Sequence, residues 1–107
     1  MADAVMTPTA VQVNYSETTI YTAPGATSFS GFIRFSNSTS SQRLLNVFCY
    51  TGGGPGSDSN RAWPKDFSLL QGQAAEINFE LPTGYKVTAT CDAANGITAI
   101  PFGIETT

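Results

Sequence analysis

A chain of 107 residues builds one ordinary domain, enough for a single core and too little for two. Charged residues make up 12% of it, against a usual share of roughly 25%, and Thr, Ser, Asn and Gln supply the polarity instead. That is the make-up of an all-β domain, not of a helical bundle coated with Glu and Lys. With a formal charge of −3, and Arg34, Arg43, Arg61, Lys65 and Lys86 scattered singly, the chain lacks the clustered cations that nucleic-acid binding needs.

No run approaches the ~18 apolar residues of a membrane span. The start, Met1 to Pro8, has neither a basic n-region nor an apolar h-region, so no secretory signal is expected and assembly in the cytoplasm is. Residues 1–9 are rich in Ala, Thr and Pro without a period and read as a flexible or docking arm. Residues 10–107 read as a single β-sandwich domain.

In chain order, Val11, Val13 and Tyr15 alternate with Gln12 and Asn14, the pattern of a first strand. Glu17 to Ala23 forms a second, anchored by Ile20. Pro24-Gly25 predicts a type II turn with the left-handed residue at Gly25. From Ser28 to Ser36 both faces carry apolar groups: Phe29, Gly31, Ile33 and Phe35 on one, Phe32 on the other. Arg43 to Thr51 does the same, with Leu45, Val47 and Cys49 opposed by Leu44, Phe48 and Tyr50.

Thr51 to Asn60, with Gly52, Gly53, Gly54 and Gly56, is the one long irregular stretch, expected to be mobile or ordered by a partner. Lys65 to Leu70 is a short strand. Ala75, Ile77, Phe79 and Leu81 then alternate with Glu76, Asn78 and Glu80. After Pro82-Thr83-Gly84, Tyr85, Val87, Ala89 and Cys91 alternate with Lys86, Thr88 and Thr90. These two runs predict an antiparallel hairpin. Asn95-Gly96 predicts a further tight hairpin. The last strand spans Ile97 to Ile104, and Pro101 within it points to a sheet edge. Seven or eight short strands without a helical period imply an antiparallel two-sheet sandwich, immunoglobulin-like or a small jelly roll.

Chemistry is sparse. There is no His, hence no triad and no plausible zinc site, and no Ser stands in a nucleophile elbow. Glu76 and Glu80 share a strand face roughly 13 Å apart, too far for a glycosidase pair. The reading is therefore non-enzymatic, with no cofactor. Asp58, Asp66 and Asp92 match no calcium-loop spacing. Cys49 and Cys91 are either free thiols or, if the sheets stack as in immunoglobulin domains, a bridge across the core. Asn14-Tyr15-Ser16 and Asn37-Ser38-Thr39 match the glycosylation pattern.

The more informative group is apolar. Phe32, Leu44, Phe48 and Tyr50 fall opposite their strands' core-facing sets and predict a contiguous outward patch, unless a loop or the arm covers it. Trp63, after the Gly-rich stretch, is a candidate contact anchor.

Thr18-Thr19-Ile20-Tyr21-Thr22-Ala23-Pro24-Gly25, Ile33 to Asn37, Leu69 to Gln73 and Leu81 to Tyr85 run in a familiar order. In this the chain resembles small β-sandwich virion proteins of tailed bacteriophages. The resemblance implies a structural role in the virion: a capsid decoration (cement) protein, or a module of a head or tail fibre. Its expected partners are the major capsid protein or other virion proteins, engaged by a homo-oligomer, a dimer or trimer. The contacts would fall on Phe32, Leu44, Phe48, Tyr50 and Trp63. The alternative is a carbohydrate-binding module stacking sugars on Trp63, Tyr50 or Tyr85, with Asp58 and Asn60 as hydrogen-bond partners. A periplasmic or fimbrial sandwich would instead require the Cys49–Cys91 bridge.

Overall fold

Period-2 alternation makes strands wherever one set of side chains can be buried, and the computed structural model, which describes residues 3–107, carries this through. The strands are β1 (Asp3–Val5), β2 (Val11–Val13), β3 (Thr18–Thr22), β4 (Ser28–Ser36), β5 (Arg43–Thr51), β6 (Phe67–Leu69), β7 (Ala74–Leu81), β8 (Tyr85–Cys91) and β9 (Ile97–Thr106). One 3-10 turn, Asp58–Asn60, interrupts the loop after β5. Two antiparallel sheets result. The first runs β1-β9-β4-β7, with β2 also on β9; the second runs β3-β8-β5-β6.

The pairs nest. β2 pairs with β9, β3 with β8, β4 with β7 and β5 with β6, as if one long hairpin had been rolled up. Lateral pairs β4–β9 and β5–β8 close the two sheets. An immunoglobulin sandwich keeps several consecutive strands side by side in one sheet. Here β5 and β6 are the one consecutive pair that does so among the described residues. The topology is that of a jelly roll.

Two expected hairpins become corners. β7 lies in the first sheet and β8 in the second, so Pro82-Thr83-Gly84 carries the chain across the sandwich. A Tyr85 N–H to Pro82 C=O bond of 3.1 Å closes that turn. Asn95-Gly96 likewise leads from β8 in one sheet to β9 in the other. At the first turn the left-handed residue is Ala26, at φ 62°, with Thr27 N–H bonded to Pro24 C=O. Gly25 had been expected there.

Pro101 is not on an edge strand, since β9 is flanked by β4 and by β1 and β2. The chain leaves β9 between Val5, opposite Ile104, and Val11, opposite Ala99. Pro101 falls in that gap, where no ladder donor is required. Residues 3–6, within the stretch expected as an arm, thus run beside β9, and Met6 N–H bonds to Gly103 C=O at 3.0 Å. Residues 1 and 2 of that arm lie outside the described residues.

The core lies between the sheets. Phe29, Ile33, Phe35, Ile77, Phe79 and Leu81 face Leu45, Val47, Val87, Ala89 and Cys91. Cys49 and Cys91 are on neighbouring strands of one sheet, not on opposed sheets. Cys91 lies opposite Leu45, four residues from Cys49, or roughly 13 Å along the strand. A disulfide needs Cα atoms about 4.4–6.8 Å apart, and both thiols are free.

Candidate functional site

The four residues expected to form one patch divide between two faces. Phe32 belongs to β4 in the first sheet, whereas Leu44, Phe48 and Tyr50 belong to β5 in the second. Their outward faces are on opposite sides of the sandwich, so Phe32 cannot share a surface with the other three.

On the second sheet the Gly-rich loop folds down over β5. Phe48 is buried, 7% exposed, with the Arg61 guanidinium 5.0 Å from its ring centre. Gly56 lies so close that a Cβ there would meet the Phe48 ring at 2.5 Å. A Cβ on Gly54 would collide with the Tyr50 hydroxyl at 2.2 Å. Only glycine allows this approach. The loop is ordered by the chain itself: Gly56 N–H donates to Glu17 Oε1 at 2.8 Å, and Arg61 donates to Asp58 at 2.7 Å and to the Asn46 side-chain Oδ1.

Glu17 is the centre of this cover. Its other oxygen accepts from the Tyr50 hydroxyl and from Thr88 Oγ at 2.5 Å. Burial pushes the Glu17 carboxyl up, but hydrogen bonds from Thr88, Tyr50 and Gly56 and the charge of Lys86 outweigh it, leaving it below its ordinary value. A hydrogen bond from Arg61, and then the Arg61 charge, hold the Asp58 carboxyl low as well. Leu44 and Tyr50 are half-buried, so the expected patch on this sheet is largely sealed.

Four residues of the sugar-binding alternative are engaged within the chain, and Tyr85 is half-buried. Trp63 is half-buried, packed edge-on against Phe67 with ring centres 5.5 Å apart. Tyr50 is tied to Glu17, Asp58 to Arg61, and Asn60 folds back onto Ser57 and Pro55. The three aspartates engage separate partners, Asp66 through Asn46 and Asp92 through the Leu44 N–H. Among the described residues no three metal-ligating side chains come together. Asn37, in one glycosylation pattern, is 1% exposed and spends its amide on the carbonyls of Ser41 and Leu69. It is a structural clamp on the loop after β4.

The outer face of the first sheet carries an apolar run of its own, with Phe32 and Phe102 half-buried. Phe32 and Phe102 are cross-strand partners with stacked rings, 5.2 Å between centres. Arg34 lies 5.5 Å from the Phe102 ring centre and pairs with Glu76 at 2.5 Å. Alternation along β9 puts Ile100 and Ile104 on the same face, and Val5 is the Cα partner of Ile104. Ile104 is 46% and Val5 81% exposed. This stripe is the candidate site. Ile100, Phe102, Ile104 and Val5 escaped the sequence reading. The available signal was that Ile97 to Ile104 is apolar on both alternating sets, as Ser28–Ser36 and Arg43–Thr51 are.

No family model, curated protein or solved structure matches this chain.

Proposed function

We propose that this chain is a non-catalytic structural module that attaches to a larger assembly through the outer face of its first sheet. The observation that carries the reading is the stripe Val5–Ile104–Phe102–Phe32, neighbours across or along the strands, with Val5 and Ile104 exposed and Phe102 and Phe32 half-buried where a soluble domain is usually polar. The likeness to bacteriophage β-sandwich proteins supports a specific setting: a capsid decoration protein, stapling neighbouring capsid subunits as a dimer or trimer in the virion. About 800 Å² buried per partner is typical of a specific contact, and repetition over a shell adds avidity.

The test is to strip particles of the protein, restore it as wild type or with Phe102→Ser, and heat them. Wild-type protein should raise the temperature at which shells open, and the variant should not bind. Equal shell stability with and without the protein would end the cement reading.

A further inference from the structure

We propose that the free edge of β7 is a docking site for an extended segment of another polypeptide carrying a basic residue opposite Glu80. This inference concerns a strand edge rather than the apolar stripe, and it stands without the capsid reading.

β7 ends the first sheet, with β4 as its one strand neighbour among the described residues. The phase of its ladder follows from two bonds. Asn37 N–H donates to Gln73 C=O, which puts the odd-numbered residues of β7 in bonded pairs with β4. Met6 N–H donates to Gly103 C=O, so the odd residues of β9 face β1 and its even residues bond to the even residues of β4. Both bonds agree. The backbone N–H and C=O groups of Ala74, Glu76, Asn78 and Glu80 therefore point away from the sheet, along an eight-residue strand. Such an edge is a template for strand addition.

Its side chains say what would fit. Glu76, Asn78 and Glu80 are exposed on the outer face beside Arg34, Phe32 and Ser30, their Cα partners on β4. Glu76 is paired with Arg34, whereas Glu80 has no ion pair among the described residues. Next to it is a depression of about 420 Å³ lined by Ser30, Phe32, Asn78 and Glu80. Ser30 is small enough to leave room, Phe32 offers a wall for an aliphatic stem, and Glu80 offers a carboxylate at the rim. That combination matches Lys or Arg, whose stems lie on apolar surface while the charged head stays wet.

A strand added here places its residues opposite Glu76, Asn78 and Glu80 on that same face, so the favoured pattern is basic–x–polar–x–basic. A second copy of this chain is a poorer occupant. Antiparallel pairing centred on Asn78 sets Glu76 against Glu80, and like charges directly opposed are destabilising.

The test uses the full chain and the acetylated peptide Thr-Lys-Val-Thr-Val-Lys-Thr, with Glu replacing Lys in a control. Amide hydrogen exchange should slow at Glu76, Asn78 and Glu80 with the basic peptide and not with the acidic one. Glu80→Lys should weaken the basic peptide about fivefold or more and favour the acidic one. Asn78→Pro, which removes a donor at the edge, should abolish both effects while far-ultraviolet circular dichroism stays that of the wild type. Equal protection by both peptides, or none by either, overturns the proposal. So does concentration-dependent protection of these amides without peptide, which would assign the edge to a second copy.

Discussion

Glu17 and Gly56 are joined by a 2.8 Å hydrogen bond across 39 residues of sequence. That bond helps hold a cover over one apolar face of the sandwich. It fastens the Gly-rich loop over Phe48 and Tyr50, and the Glu17 carboxylate also takes the Tyr50 and Thr88 hydroxyls. Replacing Glu17 by Ala leaves three donors without their acceptor. The expected loss is about 2 kcal/mol in denaturant unfolding, with faster exchange of the Gly56 amide. Glu76→Ala, which breaks an exposed pair with Arg34, should cost less than about 1 kcal/mol. Acid should act on the same bonds. The folded Glu17 carboxyl lies below its ordinary 4.5, so the unfolded chain takes up the proton first. Its contribution is present above that value and fades as the pH falls through it and toward the lower folded pKa. Wild-type stability should therefore drop more than that of Glu17→Gln between about pH 5 and about pH 3.

Alkali works in the opposite sense. Burial, a hydrogen bond to Glu105 and that carboxylate's charge raise the Tyr21 hydroxyl well above its ordinary 10.0. The hydrogen bond to Glu17, and then burial, raise Tyr50. A raised folded pKa contributes stability below the unfolded value and loses it as pH rises. Denaturant midpoints should fall as the pH climbs past about 10, and a Tyr21→Phe, Tyr50→Phe double variant should flatten that fall. An unchanged slope in the double variant would remove these two phenols from the account.

Each of the eight segments read as strands holds one, against an expected seven or eight, and the ninth is the three-residue β1 within the expected arm. Alternation is legible because each strand must hide one set of side chains, a constraint that acts residue by residue. Pairing is not local in that way. Pro82-Thr83-Gly84 suits a hairpin or a corner equally, and only the crossing of β7 to β4 and β8 to β3 chooses between them. The two-sided apolar runs were readable for the same reason as the strands. Which of them carries a cover was not, because that cover is held in part by one carboxylate far along the chain from the loop.

The first turn has room for improvement. Ala26 holds φ 62°, a region where Cβ crowds the backbone, while Gly25 beside it is not in the left-handed region. Ala26→Gly should stabilise the protein by up to about 1 kcal/mol in a thermal or denaturant melt. Gly25→Ala, with nothing within 4 Å of the new Cβ, should shift the midpoint within about 0.5 kcal/mol. A destabilised Ala26→Gly would mean the turn adopts another conformation.

Between β4 and β9 the tolerance is reversed. Gly31 and Gly103 are Cα partners. A Cβ on Gly31 would meet the Phe102 carbonyl oxygen at 2.1 Å, and one on Gly103 would meet the Phe29 ring at 2.6 Å. Backbone cannot yield as a flexible side chain can, so Gly31→Ala should cost about 2 kcal/mol or more. The loss should come with faster exchange at the β4–β9 ladder. Wild-type stability in Gly31→Ala would show that the two strands can part freely.

The thiols give a last discriminating measurement, because they separate this sandwich from one built around a cross-sheet bridge. Cys91 is buried and directs its Sγ at the carbonyl oxygens of Val13 and Ala93, at 3.3 and 2.9 Å. Cys49 is half-buried, and burial pushes its thiol above the ordinary value, which lowers the thiolate fraction available for attack. Native protein should react slowly with a thiol reagent and release two equivalents on unfolding, matching its two cysteines. A mild oxidant should produce no intramolecular bridge while the fold holds, since roughly 13 Å of strand separates the two positions. A fully oxidised monomer with an unchanged melting temperature would require a different strand register from β5 onto β8.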